Sequence, residues 1–195
     1  MSRPSRRFRG MHYLGSTVKR VALAVIEYAL GFVALAVFAT LAFGSGKPTD
    51  ERMIFAFKIG AAIAAFELAF LFWRSAPANR LIIGANLWLF VGGAAAVLEQ
   101  WWLLKGYQQV GEAGLFVAML VVGLLTTALS PTGFVGATGE RRRVLWSSAA
   151  LVAAVALGLV AAIHFRGEVK LAAVLPVIAL SWLNRLLCRV AANGA

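Results

Sequence analysis

Reactive and charged side chains are scarce in this chain. The single cysteine, Cys188, excludes a disulfide scaffold, and only two histidines, His12 and His164, are present. Charged residues make up 14% of the 195 positions, against ~25% in soluble domains. The sequence contains no Gly-x-Ser-x-Gly, no Gly-x-x-x-x-Gly-Lys-Ser/Thr, no Cys-x-x-Cys and no His-Glu-x-x-His, so hydrolase, nucleotide-binding, redox and zinc-protease signatures are all missing. Its 19 glycines follow no triplet period, which excludes a collagen-like repeat. The apolar content excludes a disordered chain. No catalytic residue, metal site or cofactor is therefore expected, and the chain reads as a non-enzyme.

What is present is apolar surface. Hydrophobic residues account for 61% of the chain, and the mean hydropathy is +0.82. One core cannot hide this, because a domain of this size still exposes about a third of its unfolded surface. Lipid is the solvent that fits. A hydrocarbon layer ~30 Å thick is crossed by ~20 residues at 1.5 Å each. Six runs approach that length, at about 21–44, 53–73, 81–98, 113–129, 144–165 and 171–187. Turn-forming or charged stretches separate them, including Gly44 to Arg52, Arg74 to Arg80, and Ser130 to Arg143. The runs are continuously apolar rather than alternating, so the expected fold class is an all-α membrane protein, a polytopic bundle of six transmembrane helices. Residues 1–20 form a basic amino-terminal segment, 21–190 the membrane domain and 191–195 a short tail.

Lysine and arginine set the expected orientation. Thirteen of the 19 fall in the amino-terminal segment, the second and fourth intervals and the final segment; five fall on the other side, and Lys58 lies within a span. Both termini are thus expected in the cytoplasm, in a cell inner membrane. Trp101, Trp102 and Tyr107 then meet the outer interface, where amphipathic rings are favoured. The basic charge sits in short flanks on one side of the spans, so topology accounts for it and no nucleic acid is expected as a partner. Arg141, Arg142 and Arg143 are candidates for contact with anionic headgroups. The first span resembles a secretory signal only superficially; its apolar run exceeds the ~7–15 residues of a signal core, so an uncleaved anchor is expected.

Charges inside spans are costly, at ~2.5–3.5 kcal/mol each on insertion scales. Glu27 stands six residues beyond Val21, and Glu67 stands six before Trp73. On antiparallel helices each lies ~9 Å inside the same boundary by helical rise. Asn86, Asn184 and Arg185 fall at comparable depth, with Thr126, Thr127, Ser147 and Ser148 near them. If these side chains converge they form a polar layer open to the cytoplasm, a candidate binding or proton site in which Arg185 would pair with one carboxylate. The competing reading is structural, since Ser, Thr and Asn commonly join membrane helices and groups this close to the interface can reach water. Lys58 and Glu67, nine residues apart, point to opposite faces of a regular helix, and Lys58 is expected to snorkel outward.

Small residues, among them Gly60, Ala64, Gly84, Gly92, Gly93 and Gly158, have the spacing of close helix contacts. Pro176 and the Gly92-Gly93 pair could interrupt their spans. A shift of about 91 residues aligns Glu51-Arg52 near Glu140-Arg141 and Arg80-Leu81 near Lys170-Leu171, a faint echo of the three-plus-three inverted plan of many transporters. Two functions follow as expectations. The first is an accessory, assembly or protective subunit that binds another membrane protein or a second copy of itself in the bilayer. The alternative is a small-solute or proton-linked transporter or channel with a cytoplasm-facing polar cavity.

Overall fold

A computed structural model describes residues 32–46, 49–73 and 79–192, and no strand occurs among them. The helices are α1 (Val33–Phe43), α2 (Asp50–Trp73), α3 (Arg80–Val97), α4 (Trp101–Val110), α5 (Ala113–Leu129), α6 (Arg141–His164) and α7 (Lys170–Ala192). Four of these, α2, α3, α6 and α7, are long and apolar enough to cross a membrane, and the bent pair α4 and α5 makes a fifth if taken as one span. The fold is thus all-helical and compatible with a multi-pass membrane protein. The first expected span, 21–44, is described only from Phe32 onward, where α1 is an apolar helix of 11 residues.

Helix ends differ from the apolar runs for a simple reason: hydropathy marks what lipid tolerates, whereas helices continue into water. The run expected at 144–165 begins as a helix at Arg141, and the one expected to stop at 187 continues to Ala192. Only 113–129 coincides at both ends. Residues 101–110, expected as an interfacial connection, form a separate helix set at 98° to α5. Left-handed backbone at Glu99 (φ 54°) and Gly111 (φ 58°) brackets it and turns the chain sharply at each end. Its Leu104 is buried, and its Trp101 and Trp102 are exposed.

Neither expected interruption breaks a helix. α3 runs continuously through Gly92 and Gly93. Before Pro176, which lacks an N–H and crowds the preceding turn, α7 opens with a π turn at Lys170–Val174, where the Leu175 N–H bonds the Lys170 carbonyl five residues back. The helix then runs to Ala192.

α3 is the central element. In its most apolar stretch 61% of residues are buried, against 28–33% in α2, α6 and α7. α1 and α2 pack on one side of it and α5 on the other, with α6 against α5 and α7 against α6. A Cβ on Gly84 would stand 2.8 Å from the Met119 Cα of α5. One on Gly93 would overlap the Ala61 side chain and stand 2.7 Å from the Phe57 carbonyl oxygen of α2. Nine residues apart, these two glycines lie half a turn from each other, so each lets a different neighbour approach. Near them Phe38, Phe57, Trp88 and Tyr107 join α1, α2, α3 and α4 in one aromatic cluster, with ring centroids 4.7–5.7 Å apart.

Hydrogen bonds define two ends of the bundle. At one, Gln108 of α4 donates to Asp50 at the start of α2 (2.9 Å), and Arg166 donates to the Gln108 carbonyl (3.2 Å). At the other, arginine-rich end, the start of α3, the end of α5, the start of α6 and the end of α7 meet.

Gly93→Leu is expected to destabilise the fold by ~1–3 kcal/mol through overpacking against α2. By contrast, Gly106→Ala in α4, where an added Cβ meets nothing within 4 Å, should be neutral or gain up to ~1 kcal/mol of helix stability. Thermal unfolding in mild detergent, followed by circular dichroism, measures both.

Candidate functional site

Glu67 lies on the face of α2 that packs against α1 and α3, and it is 7% exposed. Its Oε2 accepts a hydrogen bond from Asn86 Nδ2 of α3 at 2.7 Å. Its Oε1 accepts one from the backbone N–H of Ala34 at 3.2 Å. Ala34 stands in the first turn of α1, where amides have no acceptor within the helix and carry the positive end of the helix dipole. One carboxylate thus links three helices, satisfying an orphan amide and a buried side-chain amide together. Asn86 is fully buried, and its Oδ1 has no hydrogen-bond partner among the described residues.

A second polar group lies two turns earlier on α3, at the arginine-rich end. Asn79 caps α3 by accepting from the Leu81 N–H at 3.1 Å. The same Oδ1 accepts from Asn184 Nδ2 of α7 at 3.2 Å. Next to Asn79, Arg80 donates to the hydroxyls of Ser130 (2.7 Å) and Thr132 (2.6 Å), while its Nη1 is buried without a partner among the described residues.

The connection between α5 and α6 is folded into this end rather than lying on the surface. Phe134 and Val135 are buried, and Phe134 lies against Gly123 of α5. Ser148 Oγ of α6 accepts from the Phe134 N–H (2.9 Å) and Val135 N–H (3.4 Å). The Cys188 thiol of α7 donates to the Val135 carbonyl at 3.0 Å. Gly133 has φ +58°, and its Cα faces the Ser148 hydroxyl and Val144 so closely that a side chain there would collide. A buried loop needs such partners for its backbone.

The polar residues expected to converge are therefore divided. Glu67 and Asn86 are brought together. Asn184 is buried at the helix ends and bonds Asn79, and Arg185 beside it is exposed. Glu27 lies outside the described residues. Thr126 and Thr127 bond carbonyls of their own helix, at Val122 and Gly123. Lys58 is exposed, on the face opposite Glu67 as helical geometry requires. The three adjacent arginines also separate. Arg141 donates to the carbonyls of Ser130 (2.7 Å) and Pro131 (3.2 Å), and Arg143 pairs with Glu140 at 3.2 Å. Arg142 is exposed beside them.

Two participants went unread in the sequence. Asn79 ahead of an apolar run is a helix-cap signature, and that signal was available. The Ala34 amide carries none, because a backbone donor leaves no mark in composition. Comparison with protein-family models, curated proteins and solved structures finds no significant match to this chain.

Asn86→Ala should cost ~1–3 kcal/mol by leaving Glu67 Oε2 without a donor. Ser148→Ala, which removes the acceptor for two loop amides, should cost a similar amount and speed labelling of Cys188 by a membrane-permeant maleimide. Unfolding midpoints and labelling rates test the two sites separately.

Proposed function

We propose that this chain is a non-catalytic, six-span inner-membrane protein with both termini in the cytoplasm, acting as an accessory, assembly or protective subunit for another membrane protein. Glu67, Asn86 and Asn184 are buried members of the expected polar layer, as are Ser147 and Ser148, and each of the first three ties one helix to another. That use of polar side chains favours a scaffold over a solute path. The outward faces fit a helix-binding role: α2 carries Phe55, Phe66, Phe70 and Trp73 exposed along its length, and large side chains on a fixed helix present a shaped surface to a neighbouring helix.

One observation favours the second reading, a proton-linked transporter. Among the described residues, Asn86 Oδ1 is buried without a donor beside a carboxylate. A proton taken from water onto Glu67 would reverse the requirement, because the carboxyl O–H would then be the donor and the turned amide oxygen its acceptor. The same step would bear on α1, which is held through the other carboxylate oxygen.

Two measurements divide these readings. A photo-crosslinking residue placed at Phe66 or Phe70 in the native membrane should give one discrete adduct of reproducible identity. A protein that yields no adduct and purifies alone from mild detergent overturns the subunit reading. In vesicles under a pH gradient, the transporter reading requires flux by the wild-type chain that Glu67→Gln abolishes with folding intact. Absence of wild-type flux, or flux unchanged by Glu67→Gln, removes it.

A further inference from the structure

Between the start of α6 and the end of α7 lies an open groove of about 460 Å³, lined by Glu140, Arg142, Arg143, Trp146, Ser147 and Val190. Its charge is unbalanced. Glu140 pairs with Arg143 at 3.2 Å, which leaves Arg142 as an uncompensated guanidinium on the same rim among the described residues. Arg141 takes no part, since it is turned onto the Ser130 and Pro131 carbonyls. Ser147 reaches the groove although it is only 5% exposed, and its hydroxyl has no hydrogen-bond partner among the described residues. The first turn of α6 adds amides that no side chain caps. Each of these polar features awaits an acceptor carrying negative charge.

The other half of the groove is apolar and continues along the bundle. Trp146 is 70% exposed, an indole at a helix end of the kind found at headgroup level. Val190 begins an outward ridge on α7 that runs through Leu186, Trp182 and Ile178 at four-residue intervals, all at least half exposed. α6 and α7 are both long and apolar enough to cross a membrane. A ligand that fits both parts has an anionic phosphate and long hydrocarbon chains on one molecule.

We propose that this groove is a binding site for one anionic phospholipid, its phosphate held by Arg142, Arg143 and Ser147 against Trp146 and its acyl chains lying along the Val190–Ile178 ridge. A free phosphate would engage only the upper half and leave the ridge uncovered. Binding would fix the start of α6 to the end of α7 from the lipid side, at the same end as the buried α5–α6 loop. The site is independent of whether the bundle serves a partner protein or moves a solute.

Native mass spectrometry of the full-length chain, equilibrated in micelles with equal phosphatidylglycerol and phosphatidylcholine, tests this directly. The wild-type chain should retain phosphatidylglycerol in preference, and Arg142→Gln combined with Arg143→Gln should lower that preference about thirtyfold, the scale expected for loss of two basic groups near a lipid surface. Arg141→Gln should leave it within about twofold, since that residue serves the loop. Equal retention of both lipids by the wild-type chain, an unchanged preference in the double variant, or full displacement of the lipid by inorganic phosphate would overturn the proposal. Should the double variant fail to fold, the fluorescence lost on Trp146→Phe isolates the indole signal. It should be quenched more by brominated phosphatidylglycerol than by brominated phosphatidylcholine in vesicles of matched composition, and equal quenching would again overturn the assignment.

Discussion

Close approach of α2 and α5 to opposite faces of α3 is the constraint from which the rest of the bundle follows. Helices in lipid gain nothing from squeezing out water, so they associate through van der Waals contact and the hydrogen bonds that contact allows. At Gly93 the absence of a side chain lets α3 meet the Phe57 turn of α2; two turns earlier on the same face, this brings Asn86 within reach of Glu67. At Gly84, half a turn round, α3 meets Met119 of α5. Bulkier residues at these positions would hold the helices apart, and the carboxylate would lose its side-chain donor before any question of function arose.

Of the polar residues expected at one level, Glu67 and Asn86 meet, whereas Asn184 bonds Asn79 two turns nearer the helix ends. Counting residues from span ends places Glu67 and Asn86 at one level, and they do meet. The same counting puts Arg185 near that level, but depth says nothing about which way a residue faces, and one step along a helix turns the side chain by about 100°. Asn184 consequently faces inward and Arg185 outward. α4 escaped for a different reason. Ten residues with two tryptophans, a lysine and two glutamines are too short and too polar to register as a span, and hydropathy has no other category for them. The existence of the apolar helices was the easiest feature to read, because a run that lipid must tolerate advertises itself in composition.

The 91-residue shift takes on sharper form in three dimensions. It carries α2, residues 50–73, onto α6, residues 141–164, end to end. It also carries buried Phe57, Gly60, Ala64, Glu67 and Leu71 onto buried Ser148, Leu151, Val155, Gly158 and Ala162. The two helices thus turn the same face inward in the same phase. Their chemistry differs at the point of greatest interest: where α2 has Glu67, α6 has Gly158, packed under the Phe116 ring of α5. A carboxylate that anchors neighbours on one side is matched by a gap that admits a ring on the other. The two helices therefore share a buried face and differ in what is attached to it.

The inward-folded loop between α5 and α6 has a consequence for how the protein is made. Its backbone partners arrive late: Ser148 follows Phe134 by 14 residues and Cys188 follows Val135 by 53. While the ribosome is still adding the last helix, the Val135 carbonyl has no thiol to meet it and Phe134 sits in a half-built recess. Stop codons or frameshifts that remove α7 would thus leave a defect far upstream of the cut, and quality-control proteases would encounter the aromatic loop before they encountered a missing tail.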